Sequence, residues 1–183
     1  MLKITEQIYL RRPEPSDSEA MHQYRNDPEI AAALTQFSKG YSRNDLAEWV
    51  ERQRKSSTDI VWAIVDANDN CIGHCGLSEI NSRNGVAIVD ICIGQSAFSG
   101  KGLGEAIIGS VLDYAFQQMN LRKVRAKVLS SNAIALGLLR KIGFESEGIL
   151  REAKYRNGQY LDFHMLALFR RNWGQGEKPC PQN

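Results

Sequence analysis

The stretch Asp90-Ile91-Cys92-Ile93-Gly94-Gln95-Ser96-Ala97-Phe98-Ser99-Gly100-Lys101-Gly102-Leu103-Gly104-Glu105 decides how this chain folds. An apolar strand pattern runs into a loop with glycines at 100, 102 and 104. A helical pattern follows at once, with Ile107, Ile108, Val111, Leu112, Ala115 and Phe116 recurring at helix spacing. Glycines let a backbone approach a ligand closely. The free N–H groups and positive dipole end of the helix that follows favour an anion such as phosphate. Taken alone, such a loop reads equally as a phosphate site and as a structural turn.

Spacing rules out two common phosphate motifs. A Walker loop needs four residues between its glycines, then Lys and Ser or Thr. Here five residues separate Gly94 from Gly100, and Gly102 follows Lys101, so no hydroxyl is placed for magnesium. The dinucleotide fingerprint G-x-G-x-x-G also fails. Counted from Gly100 its last glycine falls on Glu105, and counted from Gly102 it falls on Ile107. The spacing therefore argues against an NTP-binding protein.

A second segment changes the balance. Lys123 to Leu129 reads as a strand, followed by Ser130-Ser131-Asn132-Ala133-Ile134-Ala135-Leu136-Gly137-Leu138-Leu139-Arg140-Lys141-Ile142-Gly143-Phe144. Asn132 suits a helix N-cap. Ile134, Leu138 and Ile142 share one face, joined by Ala135 and Leu139. Gly143 suits the C-terminal end, and Phe144 begins the next strand.

Together, and in this order, the two segments resemble the GNAT superfamily of acetyl-CoA-dependent N-acetyltransferases. The resemblance runs from about Ile8 to Trp173. It implies one α/β (α+β) domain over residues 1–173, with a mixed, mostly antiparallel central sheet flanked by helices, and acetyl-CoA as co-substrate. In that family a G-x-G loop, here Gly100, Lys101, Gly102, Leu103 and Gly104, binds the pyrophosphate of acetyl-CoA. An N-x-x-A…K-x-G-F segment, here Asn132, Ala135, Lys141, Gly143 and Phe144, flanks the rest of the cofactor. The run from Leu150 to Asp162 looks like the branch holding ribosomal-protein alanine, polyamine and amino-sugar acetyltransferases. Asn157-Gly158 between strand-like runs is also a hairpin signal in its own right.

The resemblance implies that the backbone of Ile91, Cys92 and Ile93 pairs with pantetheine like an added strand. It implies that N–H groups from Ser99 to Gly104 hold the pyrophosphate. Asn132 would touch the pantetheine arm, cap its helix, or do both. Two positions depart from the family pattern. Ser99 stands where many members carry Gln or Arg. Leu139 stands where many relatives have a Tyr that protonates the leaving thiolate, so solvent or another group must supply that proton.

Acetyl transfer needs a neutral amine and a stabilised carbonyl oxygen. Asp90 is the candidate base, acting through water. It reads alternatively as a structural carboxylate that caps or pairs with a cation. Glu79 is a weaker rival. Cys92 reads as inert strand packing rather than as a nucleophile. For the acceptor, Arg25 lies where relatives build substrate contacts; it would hold a phosphate or carboxylate, or else pair with Asp27 or Glu29. Tyr155 and Tyr160 flank the Asn157-Gly158 turn and are candidate cleft residues. Trp49 and Trp62 read as core. His22, His74 and His164 share no metal-ligand spacing, so no metal is expected.

The 183 residues suffice for one domain with a real core, and 43% hydrophobic with 24% charged residues is ordinary for a soluble protein. A formal net charge of +2 gives no case for nucleic acid or membrane binding. No signal-peptide pattern and no bilayer-long apolar stretch is present. Cys71 and Cys75, placed on one strand, are expected to face the same way, and no second ligand pair suggests zinc. A cytoplasmic protein with reduced thiols is expected.

Ile8–Arg11 reads as a first strand. Ser16-Asp17-Ser18-Glu19 reads as a capping box opening a helix that Asn26-Asp27-Pro28 ends. Residues 31–41 read as an irregular or weakly helical connection, and Ser42-Arg43-Asn44-Asp45 opens another helix. Strands are expected at Ile60–Val65, Cys71–Ile80 and Val86–Ile93, with a final hairpin over residues 144–169. Residues 174–183 read as a disordered tail. The acceptor is left open between a protein α-amine, a polyamine and an amino sugar, and the charge balance lends the polyamine no support. Leu139 keeps a second class alive, a non-catalytic acyl-CoA-binding or regulatory module. Edge pairing between protomers makes a homodimer plausible.

Overall fold

The computed structural model describes residues 1–34, 40–95 and 102–174. Ser99, Gly100 and Lys101, and the tail beyond Gly174, lie outside the described residues. Eight strands form one sheet: β1 (Leu2–Lys3), β2 (Ile8–Arg11), β3 (Ile60–Asp66), β4 (Cys71–Asn81), β5 (Val86–Ile93), β6 (Lys123–Leu129), β7 (Glu145–Arg156) and β8 (Gln159–Phe169). Their order is β1-β2-β3-β4-β5-β6-β8-β7. Every neighbouring pair is antiparallel except β5 and β6. The helices are α1 (Asp17–Arg25), α2 (Pro28–Ala33), α3 (Arg43–Lys55), α4 (Leu103–Asp113) and α5 (Ala133–Ile142). A turn of π-helix, Tyr114–Gln118, prolongs α4.

The sheet is covered on both faces because its strands alternate apolar side chains between two cores. Met21 and Tyr24 of α1 and Leu46 and Val50 of α3 pack with Ala63, Val65, Cys71 and Cys92 on one face. On the other, Ile107, Ile108, Val111 and Leu112 of α4 and Leu136 and Leu139 of α5 pack on Ile72, Leu77, Val89, Val124 and Leu166. Burying each such side chain contributes about 1.5–3 kcal/mol relative to leaving it in water.

Several local expectations are corrected. Ser16 does not cap α1: its backbone is already helical (φ −62°, ψ −25°) and its side chain makes no cap bond. Asp17 is instead bound by both Arg11 guanidinium nitrogens at 2.8 and 2.9 Å, which ties β2 to α1. The box at Ser42 and Asp45 does form on α3. The connection read as irregular or weakly helical from residue 31 does begin helical, holding the end of α2. Pro28 opens that helix, and Asp27 caps it by accepting from the Glu29 and Ile30 amides. Cys71 and Cys75 face opposite cores. Ile64 pairs Gly73 while Val65 pairs Cys71, so β4 carries an extra residue that shifts its alternation by one. Ile134, in the first turn of α5, is 87% exposed, while the helix packs through Ala135, Leu136, Leu138 and Leu139.

Candidate active site

The one parallel strand pair opens the site. β5 and β6 pair only at Val86–Lys123, Ala87–Val124 and Ile88–Arg125. Beyond Ile88 the two strands part. The opposite edge of β5 stays joined to β4 as far as Ile93, which pairs Gly73. From Val89 to Ile93, then, one edge of β5 offers backbone groups that no strand satisfies among the described residues. Val89, Asp90 and Ile91 line this cleft from one side and Ala126, Lys127 and Val128 of β6 from the other. Asn132, Leu138 and Leu139 of α5 close its floor, and Ala33 and Leu34 reach it from the end of α2.

α4 reaches the same region, where its Ile108 lines the cleft. Gly102 is the N-cap in the left-handed region (φ +74°), which favours glycine. The first intrahelical bond runs from the Ala106 amide to the Gly102 carbonyl, so the amides of Leu103, Gly104 and Glu105 precede the ladder. Gly104 serves packing: a Cβ there would lie 3.1 Å from Leu138 Cδ2, so its absence lets α4 close on α5. Lys141 and Glu105 bridge the same two helices at 2.6 Å.

The site thus sets an open strand edge, at a splayed strand pair, in the same region as the start of α4. Residues 7–145 match the family model described as an acetyltransferase (GNAT) domain. The chain belongs to the GNAT acetyltransferase family. It is 31% identical over 163 residues to a spermidine N(1)-acetyltransferase of Vibrio cholerae, covering 88% of this chain and 92% of that one. It is 29% identical to an uncharacterized N-acetyltransferase p20 of Bacillus licheniformis, over 92% of this chain and 96% of the relative. The crystal structure of the Vibrio cholerae spermidine N-acetyltransferase in complex with CoA and spermine superposes with a TM-score of 0.84 at 28% identity. That superposition covers 92% of this chain and 98% of the other. The protein is an N-acetyltransferase of this family, and its co-substrate is acetyl-CoA.

The acetyltransferase cleft contains Asp90, Ile91 and Asn132 among the residues singled out by sequence. Asp90 is open to solvent at the cleft, yet the walls enclose it on most sides. That enclosure pushes its carboxyl up to about 6; the Arg25 charge works against the shift and Asp59 adds to it. Asn132 caps α5 by accepting from the Ala135 amide at 3.0 Å, and it donates to the Ala33 carbonyl at 3.3 Å. Cys92 points to the opposite core, where burial pushes its thiol up to about 12, so it offers no thiolate. Leu139 is buried in the floor and supplies no proton donor. Glu79 lies outside the cleft, 3.5 Å from Arg125.

Three acceptor candidates lie elsewhere. Arg25 is 3% exposed, its guanidinium 4.9 Å from the ring centres of both Tyr41 and Trp49. It is packed inside rather than on the cleft wall, because two aromatic faces shelter the cation. Tyr155 and Tyr160 are 59% and 65% exposed and lean on each other at 5.1 Å. Strand alternation turns them to the face opposite Lys154 and Arg156.

Sequence reasoning missed Lys127, the end of α2 and Arg156. Arg156 donates to the Ala32 and Leu34 carbonyls and so holds the α2 end over the cleft. The alternation Lys123-Val124-Arg125-Ala126-Lys127 was the available signal for Lys127, since Val124 and Ala126 are core. No group of three or more His, Cys, Asp or Glu able to hold a metal occurs among the described residues. No helix among them is long and apolar enough to cross a membrane.

Proposed function

We propose that the free edge of β5 from Val89 to Ile93, through the backbone of Ile91, Cys92 and Ile93, holds the pantetheine arm of acetyl-CoA as an added strand. A primary amine then attacks the thioester directly in a ternary complex. The observation that carries this reading is the parting of β5 and β6 after Ile88, which leaves a strand edge that no strand pairs among the described residues. The α4 amides of Leu103, Gly104 and Glu105, with Gly102 ahead of them, face the pyrophosphate. The same role extends to Ser99, Gly100 and Lys101, outside the described residues. Asn132 fixes the cleft floor. Acetyl-CoA supplies the activated thioester; the chain supplies position and charge.

Asp90 takes the amine proton through water. A carboxyl raised to about 6 is ionised at neutral pH, yet more basic than an ordinary one. With Leu139 in the floor, the leaving thiolate takes its proton from solvent. The three described cysteines are free and buried, which supports a reducing, cytoplasmic setting. The exposed edge strand β7, carrying exposed Ile149 and Leu150, supports a homodimer paired along that edge. We place the domain at residues 1–173 with 174–183 as its tail.

Leu139 also favours a second reading, a non-catalytic acyl-CoA-binding module. Thiol release from acetyl-CoA with a panel of amines, alongside calorimetry of acetyl-CoA binding, separates the two. Release that depends on an amine supports the transferase; tight binding with no release on any amine supports the module.

A further inference from the structure

Asp90 and Lys127 line the cleft from its two strands. The last pair joining their strands is Ile88–Arg125, so two residues further on Asp90 and Lys127 lie on the same face of the sheet, and both line the opening. Neither makes a hydrogen bond or ion pair among the described residues. The Lys127 ammonium rests 4.2 Å over the Phe163 ring, which holds it at the cleft without neutralising it. They are the only charged side chains lining the opening among the described residues.

The surroundings of Lys127 are cationic. Gln159, Leu161 and Phe163 share a face of β8; Phe163 pairs Leu129, while Lys154 pairs Leu161 and Arg156 pairs Gln159. Lys154 and Arg156 therefore share the face that carries Lys127. Burial, then Arg156 and Lys127, hold the Lys154 ammonium below its usual range, which places the three charges within reach of one another. Arg156 is engaged with the Ala32 and Leu34 carbonyls, and its charge remains at the cleft mouth.

We propose that the acceptor is an amine that also carries an anionic group, a carboxylate or a phosphate, with its amine at Asp90 and its anionic end at Lys127. This rests on the acetyltransferase reading above and narrows it. A polyamine that placed one nitrogen at Asp90 would bring its next ammonium towards Lys127, Lys154 and Arg156, and like charges repel. A substrate with both signs satisfies the two cleft-lining side chains at once.

The test uses four acceptors with acetyl-CoA: propylamine, β-alanine, O-phosphoethanolamine and spermidine. Thiol release gives kcat and KM for each. The proposal expects β-alanine or O-phosphoethanolamine to exceed both propylamine and spermidine in kcat/KM by about tenfold or more, mostly through KM. The carboxylate and phosphate arms tell which anion is held. In Lys127→Met the preference ratio falls towards one, and in Lys127→Arg it is retained; melting temperatures report that each variant is folded. Preference for spermidine or propylamine, or a ratio unmoved in Lys127→Met, overturns the proposal and leaves acetyl transfer standing. No thiol release with any amine overturns both.

Discussion

The Tyr24 hydroxyl and His74 Nδ1 share a hydrogen bond of 2.8 Å inside the α1–α3 core. Trp49 closes edge-on against the imidazole at 5.4 Å. Burial pushes the histidine down to about 3, with Arg25 adding to the shift, and pushes the Tyr24 phenol well up. Both members are therefore neutral. The pair fixes α1 on β4, next to the strand that borders the cleft.

That neutral histidine makes the fold acid-sensitive. Its folded value of about 3 lies below the ordinary 6.5, so its contribution is intact above 6.5 and is lost as pH falls towards 3. The loss is at most about 1.4 kcal/mol per pH unit. His74→Phe keeps the ring contacts and removes the titration. Urea midpoints measured from pH 7 to 4 should fall less steeply in His74→Phe than in the parent, although the variant starts lower because Tyr24 loses its partner.

Asp90 runs the other way. Its folded value of about 6 lies above the ordinary 3.8, so ionising it costs more in the fold than in the unfolded chain. Stability from this group is greatest at low pH and declines as pH rises from about 4 to 6. Asp90→Asn should be more stable than the parent at pH 8, and the difference should vanish near pH 4. If Asp90 is the base, kcat/KM of the parent falls below about pH 6. The variant then loses roughly 10²–10⁴-fold in rate and loses that acid limb.

Gly94 ends the cleft-bordering strand against Tyr24. A Cβ at this position would meet the Tyr24 ring at 2.3 Å, and the ring belongs to the buried core. Gly94→Ala should cost about 1–3 kcal/mol in denaturant unfolding, as overpacking does. It should also displace the Tyr24–His74 bond, visible as a shifted histidine resonance.

Asn132→Ala removes both the α5 cap and the tie to Ala33. The cap alone is worth about 0.5–2 kcal/mol. Because Asn132 and Ala33 both line the cleft, acetyl-CoA affinity measured by calorimetry should fall together with the melting temperature.

The strands and most helices were legible because their apolar periods are local. Ile8–Arg11, Val86–Ile93 and Lys123–Leu129 read directly from the sequence, and Gly143 does end α5 in the left-handed region. What the sequence hid depends on partners distant in the chain. Ser16 looks like a cap until Arg11 claims Asp17. Cys71 and Cys75 look alike until the bulge in β4 separates them. The edge proposed for the cofactor was readable from Asp90-Ile91-Cys92-Ile93 because it is one strand. The side proposed for the acceptor was not, because Lys127, Arg156 and Leu34 meet only through strand register and the end of α2. Arg25 and the two tyrosines do not line this cleft: Arg25 packs against Tyr41 and Trp49, and Tyr155 and Tyr160 lean on each other.

The most direct test of the account is amide hydrogen exchange with and without acetyl-CoA. Open-edge amides between Val89 and Ile93, and those of Leu103, Gly104 and Glu105, should exchange markedly more slowly when acetyl-CoA is bound. Unchanged exchange in both segments at saturating acetyl-CoA would contradict the assignment of the parted β5 edge as the cofactor cradle.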